Sequence, residues 1–122
     1  CIGHMDRNPD LWYYRELLKN GVFIGLDQIS KIKYCTEQTR IDLICELIRL
    51  GYRKKILLCG DMARQSYLTS FGGGPGFGYI LKVFLPRLVR QLTEQGMQEE
   101  QAMDIRDDLI CNNPRQYLSF EA

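Results

Sequence analysis

Apolar positions recur along this chain with two different spacings, and the spacing changes wherever glycine or proline interrupts it. Behind Asn8, the stretch DLWYYRELLKNG sets Leu11, Tyr14 and Leu18 on one face. That spacing predicts a short amphipathic helix with Asn8 as N-cap candidate, Pro9 at the first helical position and Gly21 as terminator. Residues Val22 to Asp27 (VFIGLD) form instead a short, mostly apolar run, as expected of a strand covered on both faces. Thr36 then caps a predicted helix through about Leu50, with Ile41, Ile44, Cys45 and Ile48 in the i, i+3, i+4, i+7 pattern and Gly51 at its end. Lys54 to Asp61 (KKILLCGD) reads as a second covered strand. Strand, helix and strand in this order make a right-handed parallel βαβ unit. Cys1-Ile2-Gly3 reads as the tail of a preceding strand, and three parallel strands cannot cover both faces and both edges alone, so further strands are expected upstream. After a glycine-rich segment, a helix is expected from about Gly78 to Gln95, with a kink where Pro86 removes an N–H. A final helix from Gln98 to about Cys111 should stop before Asn113-Pro114, with a last turn holding Tyr117, Leu118 and Phe120.

The glycine-rich segment, SFGGGPGFGYI from Ser70 to Ile80, invites a phosphate-loop reading that the letters refuse. A P-loop needs Lys followed by Ser or Thr after its last glycine, whereas Gly78 precedes Tyr79. The G-x-G-x-x-G pattern started at Gly72, Gly74 or Gly76 ends on Phe77, Tyr79 or Leu81. Composition narrows the classes further. With 122 residues, a formal charge of +1, 45% hydrophobic and 25% charged residues, this is a globular chain with no electrostatic pull toward nucleic acid. No apolar run approaches the roughly 20 residues of a membrane helix, and no leader-like segment opens the chain, which predicts a cytoplasmic location without membrane contact. The cysteines are odd in number and never spaced C-x-x-C, so neither a disulfide framework nor a zinc knuckle is favoured; Cys45 and Cys59 are expected in the core. The start at Cys1 suggests a fragment of a longer chain.

Each candidate strand ends in an ionisable residue: His4, Asp27 and Asp61. Ligands of parallel α/β folds bind at the carboxyl ends of strands, and imidazole with carboxylates suits zinc and similar divalent ions. Each residue also has a plainer explanation: a lone histidine is usually a surface group, Asp61 can cap a turn, and Asp27 can orient a loop.

The segments CIGHMD, GVFIGLDQI, LLCGDMARQSYL, GGGPGFGYIL, FLPRL and NPRQYLSF together resemble, in order, the C-terminal portion of the phosphotriesterase family of the amidohydrolase superfamily. The resemblance implies an α/β fold in which residues 1–122 run from the end of strand six to the last helix of a (β/α)8 TIM barrel. It implies two divalent metal ions, most simply zinc, in the whole protein. His4 would ligate the more exposed ion, and Asp61 would bind the buried one and act catalytically on a metal-bridging hydroxide. The remaining ligands, an H-x-H pair, a bridging lysine and a further histidine, are not in this sequence, so the chain alone is expected to be inactive. Where phosphotriesterases proper carry D-H-I, this chain has Asp27-Gln28-Ile29, and glutamine relays no proton. KIKY and DMARQSY resemble instead a subgroup acting on phosphorylated sugar lactones, in which Lys33, Arg64 and Tyr67 would hold the substrate phosphate, while Gly72, Gly73 and Gly74 shape the adjoining rim. The implied function is hydrolysis of a lactone or related ester; a non-catalytic barrel binding a phosphorylated ligand and a phosphotriester hydrolase are the alternatives. A small molecule is the expected partner, and a homodimer is compatible with the reading.

Overall fold

The computed structural model describes residues 1–119. Phe120, placed by the sequence in a last turn, lies outside the described residues. The element order is α1 (Leu11–Leu18), β1 (Ile24–Leu26), α2 (Glu37–Arg49), β2 (Ile56–Leu58), α3 (Thr69–Gly72), α4 (Leu85–Glu94), α5 (Glu99–Asp107) and α6 (Asn113–Leu118). β1 and β2 pair in parallel, with Ile24 opposite Ile56 and Leu26 opposite Leu58. On the other side of β1, Ile2 makes an isolated parallel bridge to Ile24, so the opening residues run beside β1 as a preceding strand would. The expected alternation of parallel strands and helices is therefore present, while closure of a barrel is not seen among the described residues.

Both strands are shorter than the apolar runs suggested. Arg53–Lys55 is a 3-10 turn rather than strand, and beyond Leu58 the chain turns away, with Asp61 in the left-handed region at φ 46°. β1 is buried throughout. β2 departs from the expectation of two covered faces: Ile56 is buried, Leu57 and Leu58 only half-buried, and Cys59 exposed, because no further strand flanks its outer edge among the described residues. The core joins Ile24, Leu26 and Ile56 of the strands to Ile41, Ile44 and Leu47 of α2, and to Leu85, Leu88 and Leu92 of α4. Each such aliphatic side chain contributes about 1.5–3 kcal/mol through burial.

α1 begins two residues later than expected: Asp10, not Asn8, is the N-cap, and its carboxylate accepts from the Trp12 N–H at 3.0 Å. α2 starts as expected, with Thr36 Oγ1 accepting from the Thr39 N–H at 3.1 Å. Pro86 lies inside a continuing helix, as expected, whereas Pro114 does not end the one that holds it. Before α4 the chain is π-helical over Ile80–Phe84, and before α6 it is π-helical over Asp108–Asn112. Pro86 and Pro114 each stand two residues beyond such a wide turn, with helical backbone on both sides. Consequently the last helix does not stop at Asn113-Pro114 but continues to Leu118. Asn113 is buried there and donates to the carbonyls of Arg53 and Ile56, tying α6 to the start of β2.

Candidate functional site

The three strand ends meet. His4 Nδ1 donates to Asp27 Oδ1 at 2.7 Å, and the His4 main-chain N–H lies 3.1 Å from each Asp27 oxygen. Asp27 thus grips both the imidazole and the backbone, an approach possible because the preceding residue is Gly3, whose added Cβ would stand 2.9 Å from Asp27 Oδ2. A histidine whose Nδ1 is held by a carboxylate presents Nε2 outward, the arrangement usual for a metal-ligating imidazole. His4 and Asp61 both occupy left-handed backbone, at φ 55° and 46°, a region that histidine and aspartate enter more readily than most residues other than glycine.

Asp61 is joined to this pair through Gln28. The fully buried Gln28 side chain donates from Nε2 to Asp61 Oδ2 at 3.0 Å and to Asp27 Oδ1 at 3.3 Å, and the same nitrogen stands 3.0 Å from His4 Nδ1. Its Oε1 is buried without a partner. The sequence marked this position only as one lacking a proton relay; in the fold it is the amide that gathers the ionisable groups. Lys31, which the sequence passed over in favour of Lys33, is likewise buried. Its Nζ donates to the main-chain carbonyls of Gly60 and Asp61 and lies 3.3 Å from Asp61 Oδ2. The Gln28 hydrogen bond holds the Asp61 carboxyl below its ordinary value, with the Lys31 ammonium acting the same way against the opposing effect of desolvation. Asp61 is thereby kept ionised.

Beside Asp61 lies a cleft of about 420 Å³ lined by Lys31, Ile32, Lys33, Arg64, Tyr67 and Pro75 among others. The three residues expected to hold a phosphate, Lys33, Arg64 and Tyr67, therefore share one cavity. Lys31 Nζ stands 4.7 Å from the centroid of the Tyr67 ring, and Lys33 Nζ 4.8 Å from that of Tyr34. The Lys33 hydrogen bond draws the Tyr34 phenol below its usual value, and the nearby Arg7 and Arg64 charges add to it, a mark of cationic surroundings. Gly72 and Gly73 belong to α3 and its cap, with Gly73 at φ 64°, so the glycine segment begins as a helical turn rather than a loop. Gly74 folds back on the backbone of Ser66 and Tyr67. A larger groove of about 590 Å³ runs between α4 and α5, lined by Arg90, Glu99 and Arg106 among apolar side chains, but it lies away from the strand ends.

Among the described residues no group of three or more His, Cys, Asp or Glu side chains is arranged to hold a metal ion. His4 and Asp61 still suit one in chemistry: an oriented imidazole and an ionised carboxylate on the strand ends either side of β1.

Residues 1–118 match the phosphotriesterase family. The chain belongs to that family. It is 33% identical over 126 residues to a phospho-furanose lactonase from Mycoplasmopsis agalactiae, covering 98% of this chain and 33% of that protein. A solved lactonase from Listeria monocytogenes superposes with a TM-score of 0.89 at 37% identity, covering 98% of this chain and 35% of that one. The Escherichia coli phosphotriesterase homology protein, solved with phosphate in its active site, superposes with a TM-score of 0.80 at 27% identity, over 93% of this chain and 36% of that one. The phosphotriesterase-family chain thus spans about a third of the length of the relatives it matches.

Proposed function

We propose that this chain is the C-terminal part of a phosphotriesterase-family barrel, residues 1–122, whose whole form hydrolyses a lactone or related ester, with a phosphorylated sugar lactone as the preferred substrate class. The observation that carries the reading is the adjacency of two constellations: His4, Asp27, Gln28 and Asp61 at the strand ends, and the cationic cleft holding Lys33, Arg64 and Tyr67. In that form His4 and Asp61 would each help hold one of two divalent ions of the zinc type. Such ions, when bound, make hydroxide available near neutral pH and polarise the ester carbonyl. Asp27 keeps the His4 imidazole turned and in one tautomer. Gln28, donating to Asp61, fixes that carboxylate without competing for a proton. Lys33 supplies a point charge, Arg64 a planar fork and Tyr67 a neutral donor to a substrate phosphate. With glutamine at position 28, turnover of phosphotriesters through a histidine relay is not favoured.

The test uses the full-length protein and matched lactones with and without a phosphate. Arg64→Ala should raise KM for the phosphorylated substrate at least about tenfold, the loss of one charge-assisted pair, and leave the plain lactone unchanged. Equal rates on both substrates, unmoved by Arg64→Ala, would remove the phosphate assignment.

A further inference from the structure

Behind the strand ends a second cluster of charges joins three separate segments. Arg40 of α2 and Asp6 are fully buried, and Glu37 nearly so. Arg40 Nε donates to Asp6 Oδ2 at 2.8 Å, Nη1 to Glu37 Oε1, and Nη2 to the Lys31 carbonyl at 2.9 Å. Each carboxylate in turn accepts a main-chain N–H from the loop after β1: Asp6 Oδ2 from Gln28 at 3.0 Å and Glu37 Oε1 from Ser30 at 3.2 Å. One guanidinium therefore anchors the backbone at residues 28, 30 and 31. Within that span Ser30 has φ 79°, left-handed backbone that holds only where its surroundings over-determine it.

The side chains borne by this anchored stretch are those of the site: Gln28, which reaches Asp61, and Lys31, which holds the carbonyls of Gly60 and Asp61. Asp6 also lies two residues beyond His4, so both sides of the constellation are tied to the same centre. Buried ion networks are weak sources of stability, and apolar side chains of similar volume often serve as well. Apolar side chains would, however, leave the Gln28 and Ser30 N–H groups without acceptors. We infer that Arg40 is a positioning residue for the site: through Asp6, Glu37 and the Lys31 carbonyl it sets the loop from which Gln28 reaches Asp61, while touching neither His4 nor Asp61 itself. The inference rests on the hydrolase reading for its kinetic consequence and on geometry alone for its structural one.

The experiment compares Arg40→Lys, Gln28→Ala and the double variant in the full-length protein. Lysine keeps the charge but lacks the fork that spans three acceptors. A displaced loop should lower kcat for lactone opening about tenfold or more with KM nearly unchanged. When Gln28 is already alanine, most of that loss should vanish, the signature of two residues acting through one interaction. Amide exchange at Gln28 and Ser30 should quicken while Leu26 and Ile44 keep their wild-type rates. Additive losses, or exchange that rises evenly through β1 and α2, would overturn the inference. If Arg40→Lys does not fold, Glu37→Ala, which frees the Ser30 N–H, carries the same comparison. An inactive wild type counts against the hydrolase reading alone, and the exchange pattern then decides the role of Arg40.

Discussion

Replacing Gly74 by alanine would set a Cβ 2.5 Å from the carbonyl carbon and oxygen of Tyr67 and from Ser66 O. A carbon beside a carbonyl oxygen settles near about 3.3–3.6 Å, so one of the two backbones must retreat by roughly 0.8–1.1 Å. None of the opposing atoms is the loose end of a side chain, and the segment is cross-tied: Gly76 N–H donates to Tyr67 O at 2.9 Å, and Thr69 Oγ1 to Gly74 O at 3.2 Å. Overpacking of this kind costs about 1–3 kcal/mol. In a barrel as long as the relatives this chain matches, each of those kcal/mol lowers Tm by about 2 °C or less. The displacement falls on Tyr67, so KM for a phosphorylated lactone should rise several-fold while the plain lactone is unaffected. Thermal melting and substrate-matched kinetics read both effects. Two neighbours serve as controls. At Gly73 a Cβ meets nothing within 4 Å, leaving only the left-handed backbone at φ 64°, a strain of about 1–2 kcal/mol. At Gly78 a Cβ meets only the Lys82 side chain, at 3.5 Å, and alanine should be neutral to within about 0.5 kcal/mol. Should Gly74→Ala prove as harmless as Gly78→Ala, the close approach and the rim-shaping role both fail.

Two further outcomes are expected. Asp108, buried between Arg53 and Lys54, feels burial pushing its carboxyl upward, but the Lys54 and Asn112 hydrogen bonds and the two cations hold it below its usual value. Its contribution is therefore fully present above the unfolded value of about 3.9 and is lost as pH falls through the folded one. Since both cations are partly solvated, Asp108→Asn should cost only about 1 kcal/mol at pH 7, and denaturant melts of the two proteins should converge below about pH 3. Among the thiols, burial pushes Cys45 up to about 11, whereas Cys1, Cys59 and Cys111 are exposed. Mass spectrometry after brief alkylation at pH 8 should find the exposed three modified and Cys45 intact; rapid labelling of Cys45 would contradict its burial.

The strand-end residues were legible because parallel α/β topology makes position along a strand a statement about place in the fold: His4, Asp27 and Asp61 meet as that rule requires. What joins them was not legible. Gln28 gathers groups 24 and 33 residues away, and no local pattern encodes such a contact. The choice between Lys31 and Lys33 depends on how the chain turns at left-handed Ser30, which serine does not announce. Arg40 did leave a trace: with Ile44 and Leu47 it falls at i, i+4, i+7 on the core-facing side of α2, a charge where the pattern calls for an apolar residue. Cys59 misled because the apolar run around it reads the same whether its outer edge is covered or open. Pro114 misled because a missing N–H predicts interruption, whereas the helix goes on past a wide turn placed just before it.

Those wide turns also fix a phase. A π-helical turn is an α-helix holding one residue too many, and each α-helical residue accounts for about 100° of rotation. Because a wide turn spreads its rotation over that extra residue, the surplus in Ile80–Phe84 is absorbed there and the stripe of α4, Leu85, Leu88 and Leu92, stays buried. Deleting one residue of that turn would relax it to ordinary α-helix with the leucine stripe still facing inward, whereas one residue added to α4 itself, with no wide turn to absorb it, would swing the leucines beyond it by about 100°. The wide turn is thus a point at which chain length can change by one residue without turning the face the helix presents to the core.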